Sequence, residues 1–146
     1  DIVIQTSEDS EEAKLAGVLA QSKLVRNLAY VVVGIGMNVH PSNIHDVITE
    51  RAVISLSDLG HPPDRVHLAE VILSTLGVLD FQSSDFWESY RELSGTIGKA
   101  VRITTDEGFI EGTAKDVTQS GSLLVEDYAG ALLQVTSGDL VSLRPL

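Results

Sequence analysis

Two glycines and an asparagine occupy alternate positions in one apolar stretch of the chain, where they could shape a ligand site. Gly34, Gly36 and Asn38 lie at steps of two within Leu28–His40, so in a β-strand all three would face the same way. A Gly-x-Gly pair inside a strand indicates a bulge, a ligand lying against the backbone, or close packing of a neighbouring helix. An amide side chain beside bare backbone can bond a phosphate, a metal-bound water or a ligand amide, or simply start a turn.

Lys14 is the cation whose position could serve an anionic ligand. The chain has 10 lysines and arginines against 21 acidic residues, which gives a formal net charge of −11. A protein with this charge must place its few cations deliberately if it handles an anion, and Lys14 and Lys23 qualify on that ground. The other interpretation of Lys14 is a solvent-facing lysine at the start of a strand, which is the usual position of lysine.

Several common kinds of site are excluded by residue type and spacing. The dinucleotide-binding fingerprint needs a third glycine or alanine where Val39 stands. Because the chain has no cysteine, it can form no disulfide, thiolate nucleophile or zinc–thiolate site. The histidines lack the spacing of metal ligands, and the acidic charge disfavours nucleic acid as a partner.

The candidate residues lie in a region that is predicted to form strands first and helices afterwards. Leu28–His40 is a β-branched run ended by glycines, which favours a central strand buried on both faces. Leu15–Ser22 can pair with it antiparallel. Apolar residues at helical spacing then predict one helix within Ile44–Leu59, a second that Asp64 caps, and a third that begins at Ser84.

The last third of the chain predicts short strands separated by turn residues. This pattern is typical of a small closed or nearly closed barrel. The five predicted strands are Ala100–Thr105, Phe109–Val117, Leu123–Glu126, Ala131–Val135 and Leu140–Leu143.

Length and composition indicate a soluble protein of one or two domains. The chain has 146 residues, of which 43% are hydrophobic, and no apolar run approaches the ~20 residues that cross a bilayer. No secretory signal is visible and cysteine is absent, so we expect a cytoplasmic location. The chain begins at Asp1 without methionine, and we expect it to be the later part of a longer protein.

Several motifs, in this order and spacing, resemble the biotin protein ligases. They are Lys14-Leu15-Ala16-Gly17-Val18-Leu19, Val32-Val33-Gly34-Ile35-Gly36-Met37-Asn38-Val39, and, in the β-rich tail, Gly121-Ser122-Leu123-Leu124 and Gly138-Asp139-Leu140. The resemblance implies an α+β fold, with part of a mixed sheet and packed helices followed by a small SH3-like β-barrel. Residues 1–97 would be the C-terminal portion of the catalytic domain and residues 98–146 the SH3-like domain.

The resemblance also implies an activity and its site. These ligases join biotin to ATP, giving biotinyl-AMP and pyrophosphate, and then pass biotin to a lysine of a carboxylase's biotin carboxyl carrier domain. Lys14 matches the catalytic lysine, which binds the biotin carboxylate and the α-phosphate. Asn38 matches an asparagine near the phosphates and Mg²⁺, and Asp1 matches the last residue of a Trp-Pro-Asn-Asp segment. The glycines over which biotin would lie are Gly17, Gly34 and Gly36.

One departure from the family limits what this chain could do alone. The Gly-Arg-Gly-Arg loop that clamps the biotin carboxylate and the ATP phosphates is absent from the sequence. We therefore expect catalysis only together with an N-terminal half of the same domain. The alternatives are a lipoate-type ligase and a non-catalytic module that binds a peptide or a carrier protein. The sequence leaves open which carboxylase is the acceptor, whether the protein forms a homodimer, and whether a DNA-binding domain precedes it.

Overall fold

The computed structural model describes residues 1–5, 12–26, 28–40, 52–60, 63–106 and 108–142. The chain divides into two compact units, Asp1–Gly77 and Val78–Leu146. Strands and helices both occur, and the sheets are separate from the helices along the chain, so the predicted α+β class is confirmed. The predicted domain boundary between residues 97 and 98 stays a prediction.

The first unit contains a three-stranded antiparallel sheet. Its strands are β1 (Ile2–Ile4), β2 (Ala13–Val25) and β3 (Leu28–Met37), in the order β1-β2-β3. The predicted pairing of the second and third strands is confirmed, and their hairpin closes at Arg26, whose φ of 48° is in the left-handed region. Ala13, Leu15 and Ala16 on β2 are the buried apolar residues of this unit.

The burial predicted for β3 is wrong for the described part of the molecule. Residues 28–36 are exposed, and β3 lies at the edge of the described sheet with β2 as its one neighbour. A β-branched apolar run is typical of burial on both faces, but that burial needs elements packed over the strand. The described residues place no such layer over β3, and Val31 and Val32 are 65% and 68% exposed.

The helix predicted within Ile44–Leu59 is found only in its last turn. Residues 41–51 lie outside the described part of the chain. Ala52–Ser55 is extended, Val53 forms a parallel bridge with Lys14, and a short 3₁₀ helix covers Leu56–Leu59. The sequence Ala52-Val53-Ile54 is compatible with a strand as well as with a helix. Its backbone hydrogen bonds are formed with Lys14 on β2, so the segment is extended although its apolar spacing predicted a helix.

The two other predicted helices are confirmed. Helix α1 covers Arg65–Val78, and the Asp64 carboxylate accepts hydrogen bonds from the backbone N–H groups of Val66 (2.8 Å) and His67 (3.3 Å), which is N-terminal capping. Helix α2 covers Ser84–Leu93, and the Ser83 hydroxyl caps it. No helix in the described ranges is long and apolar enough to cross a membrane.

The second unit contains α2 and a five-stranded antiparallel sheet. The strand order is β7-β6-β5-β4-β8, and the described strands form an open sheet with β7 and β8 at its edges, so closure into a barrel stays a prediction. The core consists of Val101, Ile103, Ala114 and Val125. All five predicted strands are present: β4 (Ala100–Thr105), β5 (Gly108–Val117), β6 (Leu123–Asp127), β7 (Leu132–Val135) and β8 (Asp139–Ser142).

Glycine is required at two places where backbones of this sheet approach closely. A Cβ atom on Gly112 would overlap the carbonyl oxygen of Glu126 and would lie 2.9 Å from Cγ1 of Val125. A Cβ atom on Gly138, whose φ is +148°, would lie 2.6 Å from the carbonyl oxygen of Thr104. Both contacts are shorter than a real Cβ atom tolerates, so these glycines permit the β5–β6 and β4–β8 pairings.

Candidate functional site

A β-bulge in β2 determines where Lys14 points. Ile2 pairs with Ala16 and Val3 pairs with Lys14, so Leu15 is an extra residue on β2 with no counterpart on β1. An extra residue interrupts the alternation of side chains. Lys14 and Gly17 are separated by an odd number of positions, yet a Cβ atom on Gly17 would lie 3.6 Å from the Lys14 Nζ. The bulge therefore brings the lysine to the face that Gly17 leaves bare.

The same face carries the predicted glycines. Gly17 pairs with Gly36, and Leu19 pairs with Gly34, so three of the four positions in these two cross-strand pairs lack a side chain. The result is a shallow groove of about 510 Å³ on the hairpin. Its lining residues are Asp1, Lys14, Gly17, Val18, Leu19, Gly34, Ile35 and Gly36. The structure thus brings together five of the six residues singled out from the sequence, which are Asp1, Lys14, Gly17, Gly34 and Gly36.

The glycines of the groove are not required by packing within the described residues. A Cβ atom on Gly36 would meet nothing within 4 Å, and one on Gly34 would lie 3.8 Å from the carbonyl oxygen of Leu19. These distances are ordinary or open, in contrast to Gly112 and Gly138. The sequence left three explanations open for these glycines: a bulge, a ligand or a packed helix. The pairing of β3 with β2 is regular, and the described residues place no helix against the bare strand, so space for a ligand remains.

The groove holds one ion pair at its end. Nζ of Lys14 lies 2.9 Å from Oδ1 of Asp1, and the two side chains are 38% and 42% exposed. An exposed pair of this kind contributes ~0–1 kcal/mol to stability, because water screens both charges. The ammonium group is thus partly exposed, and it lies beside the bare backbone of Gly17.

Asn38 lies beside the groove but does not line it. Strand β3 ends at Met37, so the alternation that predicted a shared face stops before Asn38. Its Nδ2 donates hydrogen bonds to the carbonyl oxygens of Lys14 (3.4 Å) and Ile54 (3.3 Å). Its Oδ1 has no hydrogen-bond partner within the part of the chain that the structure describes, which suits an oxygen ligand for a hard cation. The role of Asn38 near phosphates stays a prediction.

The sequence did not identify the segment that holds the backbone of Lys14. The amide of Lys14 donates to the carbonyl oxygen of Ala52 (2.8 Å), and the amide of Ile54 donates to the carbonyl oxygen of Lys14 (3.0 Å). Because the apolar spacing assigned Ala52 and Ile54 to a helix, their pairing with Lys14 was not predicted. The spacing Ser55-x-x-Asp58 resembles a capping box, and it was the signal in the sequence that the helical turn begins only after Ser55.

Lys23 lies at the other end of the hairpin. It lines a second surface hollow of about 730 Å³ with Gln21, Ser22, Tyr30 and Val32. These side chains are exposed, and no buried polar group points into the hollow within the described ranges. Among the residues described, no group of three or more histidine or acidic side chains could hold a metal ion.

A known protein family matches a large part of the second unit. The family described as "Biotin protein ligase C terminal domain" matches residues 96–143. Over these residues the chain is similar to the C-terminal domain of the biotin protein ligases. The match covers β4 to β8, including the close contacts at Gly112 and Gly138. The resemblance to biotin protein ligases that the motifs predicted is confirmed.

Solved biotin protein ligases of Aquifex aeolicus share the fold of nearly the whole chain. The apo structure matches with a TM-score of 0.68 and 24% identity, covering 92% of this chain and 62% of that one. The complex with biotin and ATP matches with a TM-score of 0.63 and 22% identity, covering 92% and 60%. At these identities the likeness shows the fold. A comparison with curated protein sequences gives no match.

The chain spans about 60% of the length of these ligases. Its first unit, with the Lys14 groove, lies outside the segment that matches the ligase C-terminal family. What the groove shares with the solved ligases is therefore the fold.

Proposed function

We propose that this chain provides part of a biotin protein ligase active site, in which biotin lies in the groove on β2 and β3. The observation that carries the proposal is the position of Lys14 beside Gly17, which pairs with Gly36, at the end of a groove lined by three glycines. The fold shared with a ligase solved in complex with biotin and ATP supports it.

In this proposal Lys14 acts on the first step, the formation of biotinyl-AMP. A carboxylate oxygen of biotin attacks the α-phosphorus of ATP and pyrophosphate leaves, so negative charge collects between the two reactants. The Lys14 ammonium is a compact point charge with three donors, and its position at the groove's end lets it contact both the carboxylate and the phosphate. Such a cation stabilises the transition state more than the separated reactants.

The bare backbone serves the ring of biotin. Gly36 leaves its face of β3 open to beyond 4 Å, so a flat bicyclic ligand can approach the strands. Leu19, whose side chain shares the face of Gly17 and Gly34, gives the groove an apolar contact. A site that combines bare backbone and an apolar contact with an ammonium group at one end is suited to an apolar acid.

Asn38 and ATP complete the proposed site. The unpartnered Oδ1 fits a ligand of Mg²⁺ or of its bound water, while Nδ2 stays on the backbone carbonyls of Lys14 and Ile54. When bound, Mg²⁺ neutralises phosphate charge. Asp1 matches a residue of the same site by resemblance, and its carboxylate orients Lys14.

In our proposal the reaction also needs parts of the ligase that lie outside the segment of the solved ligases matched by this chain. The chain covers about 60% of their length, and its sequence has no Gly-Arg-Gly-Arg loop. The acceptor in the second step is the lysine of a biotin carboxyl carrier domain, whose amine attacks the mixed anhydride while AMP leaves. We expect this chain alone to be inactive and the protein to be cytoplasmic.

Biotin-dependent exchange of labelled pyrophosphate into ATP tests the proposal. We would measure it with this chain and with the product of the complete gene, and repeat it with lipoate. Exchange with biotin in the complete product alone supports the proposal. Exchange with lipoate but not biotin would assign the chain to the lipoate-type ligases, and folded protein without exchange would contradict adenylation.

A non-catalytic binding module is the second candidate. It is favoured by the exposed apolar residues on the edge strands of the second unit, since Leu132 on β7 is 60% exposed and Leu140 on β8 is 38% exposed. Open edges can accept an extended peptide. Binding of a carrier domain to residues 78–146, without exchange activity in the complete gene product, would favour this candidate.

A further inference from the structure

We infer that Ser55 is a positioning residue for Lys14. The inference rests on the proposed function for the importance of Lys14 to the reaction, but its structural part can be tested without activity. It concerns the segment Ala52–Leu59, which no resemblance of sequence assigned to the site.

The segment takes the place of β3 beside the bulge. Strand β3 ends with Met37 opposite Ala16, so β3 does not reach Lys14. There Ala52 and Ile54 form backbone hydrogen bonds with Lys14, at 2.8 and 3.0 Å, in a parallel bridge centred on Val53. The backbone of Lys14 is thereby held on one edge by β1 and on the other by this segment.

Asn38 fastens the segment to β2 a second time. Its Nδ2 donates to the carbonyl oxygens of Lys14 and Ile54, and its own carbonyl oxygen accepts from the amide of Leu56 (2.9 Å). The asparagine that we propose near the phosphates is thus tied to the same short segment. A displacement of Ala52–Leu56 would therefore disturb Lys14 and Asn38 together.

Ser55 is the buried polar residue at the centre of this segment. It is 1% exposed. Its hydroxyl donates to Oδ2 of Asp58 (2.7 Å), and its amide donates to the same oxygen (2.8 Å). Because a hydrogen bond to a charged group stabilises more than a neutral one, the hydroxyl helps to fix the point where the extended segment turns into the 3₁₀ helix.

Positioning matters here because a bulge is a local weak point in a sheet. The extra residue disrupts the regular ladder on the β1 side, so the direction of the Lys14 side chain depends on the bonds of the opposite edge. A small displacement of a reacting charge can lower a rate by ~100-fold. The Ser55 hydroxyl would then act on catalysis without touching a substrate.

The test compares Ser55→Ala and Ser55→Thr in the complete gene product, with Ser122→Ala as the matched control. Ser122 is also buried, at 2% exposure, but lies in the second unit. The first measurement is amide hydrogen exchange at Lys14 and Ile54. We expect Ser55→Ala to accelerate it about tenfold, in line with one lost buried hydrogen bond, and we expect Ser55→Thr and Ser122→Ala to leave it near wild type.

The second measurement is the kinetics of pyrophosphate exchange. We expect Ser55→Ala to lower kcat about tenfold while the KM for biotin changes less than twofold, and Ser55→Thr to restore kcat. Unchanged amide exchange in Ser55→Ala would overturn the inference, as would equal losses in the alanine and threonine variants or accelerated exchange with unchanged kcat.

Two safeguards keep the result interpretable. If Ser55→Ala does not fold, Asp58→Asn removes the charge from the same hydrogen bonds with almost no change of shape, and the same comparisons apply. If the wild-type protein shows no biotin-dependent exchange, the proposed function fails while the amide exchange data still decide whether Ser55 holds the backbone of Lys14.

Discussion

At the scale of single residues, the ion pair of Lys14 and Asp1 contributes little to stability although the backbone of Lys14 is held on both edges. Their ion pair is about two-fifths exposed on each side, so folding depends on it very little. Lys14 nevertheless has a defined position, because β1 pairs with its backbone on one edge and the Ala52–Ile54 segment on the other. Residues that are held firmly but stabilise little are expected where a protein performs chemistry.

The first prediction concerns Lys14→Ala in the complete gene product. We expect biotin-dependent pyrophosphate exchange to fall by at least ~100-fold, because a positioned charge at the reacting groups is lost. The free energy of unfolding should change by less than ~1 kcal/mol in urea denaturation. Lys23→Ala, an exposed lysine of the same strand, is the control and should keep full activity; activity in Lys14→Ala would contradict the role of this lysine.

The second prediction concerns Gly36→Val. A side chain at this position meets open space within 4 Å, so the variant should fold normally, while its branched side chain would occupy the groove floor and abolish biotin binding. Titration calorimetry on the complete gene product measures the affinity. Val33→Ala, a change on the opposite face of the same strand, should bind as wild type does, and unchanged affinity in Gly36→Val would remove biotin from this groove.

At the scale of elements, close backbone approach determines the second unit. Strands β5 and β6 pass so near each other at Gly112 that a methyl group has no room beside Glu126 and Val125. The core of Val101, Ile103, Ala114 and Val125 lies in the same sheet. A packing fault at Gly112 is therefore expected to reach the core.

The third prediction follows from this contact. Gly112→Ala should lower the free energy of unfolding of the second unit by ~1–3 kcal/mol or more, because overpacking forces the backbone to move. Urea denaturation measures it. Gly36→Ala is the same chemical change at an open position and should be almost neutral; equal stability of the two variants would contradict the strand separation described here.

A charged contact joins helix α2 to β5. Nε of Arg91 lies 2.5 Å from Oδ1 of Asp116, and Nη2 of Arg91 donates to the carbonyl oxygen of Val117 (3.4 Å). The hydrogen bond from Arg91, followed by the hydrogen bond from the Val117 amide, lowers the pKa of Asp116 below its ordinary value of 3.8. Because the pKa is lower in the folded state, this contact stabilises the fold above pH ~4 and the stabilisation is lost as the pH falls through the lowered pKa.

The fourth prediction tests this dependence on pH. In Asp116→Asn the loss of stability between pH 7 and pH 3 should be smaller than in the wild type, by less than ~1 kcal/mol because both side chains are more than a third exposed. Urea denaturation at the two pH values measures it. Arg91→Met should have the same effect, and an unchanged pH dependence in both variants would show that the contact is absent in solution.

At the scale of the whole molecule, local patterns predicted elements well and non-local contacts poorly. The five strands of the second unit and the two helices begin and end near turn residues and caps, such as Asp64 and Ser83, that are legible in the sequence. Ala52–Ser55 was misassigned because its residues satisfy helical and extended patterns alike. The bridge between Val53 and Lys14, 39 positions apart along the chain, decides between the two patterns. Burial of β3 was overestimated because apolar composition does not state what packs on a strand.

The candidate site shows the same division. Gly34 and Gly36 share a face by simple alternation, and the sequence was sufficient to place them together. Lys14 and Gly17 share a face because Leu15 has no counterpart on β1. This bulge is a property of the strand pairing, so the sequence of β2 alone does not predict it. The resemblance to the biotin protein ligases named Lys14 as a candidate, and the bulge explains how its side chain reaches the groove.

The bulge also sets a rule for comparing this chain with other sequences. In a regular strand, residues that face one groove are separated by even numbers, as Gly34 and Gly36 are. Lys14 and Gly17 have an odd separation and still meet over the groove. In a relative with an even separation, the lysine would face the groove only if β2 were regular. Whether the separation is odd or even, read from sequence alone, therefore reports whether the bulge is present.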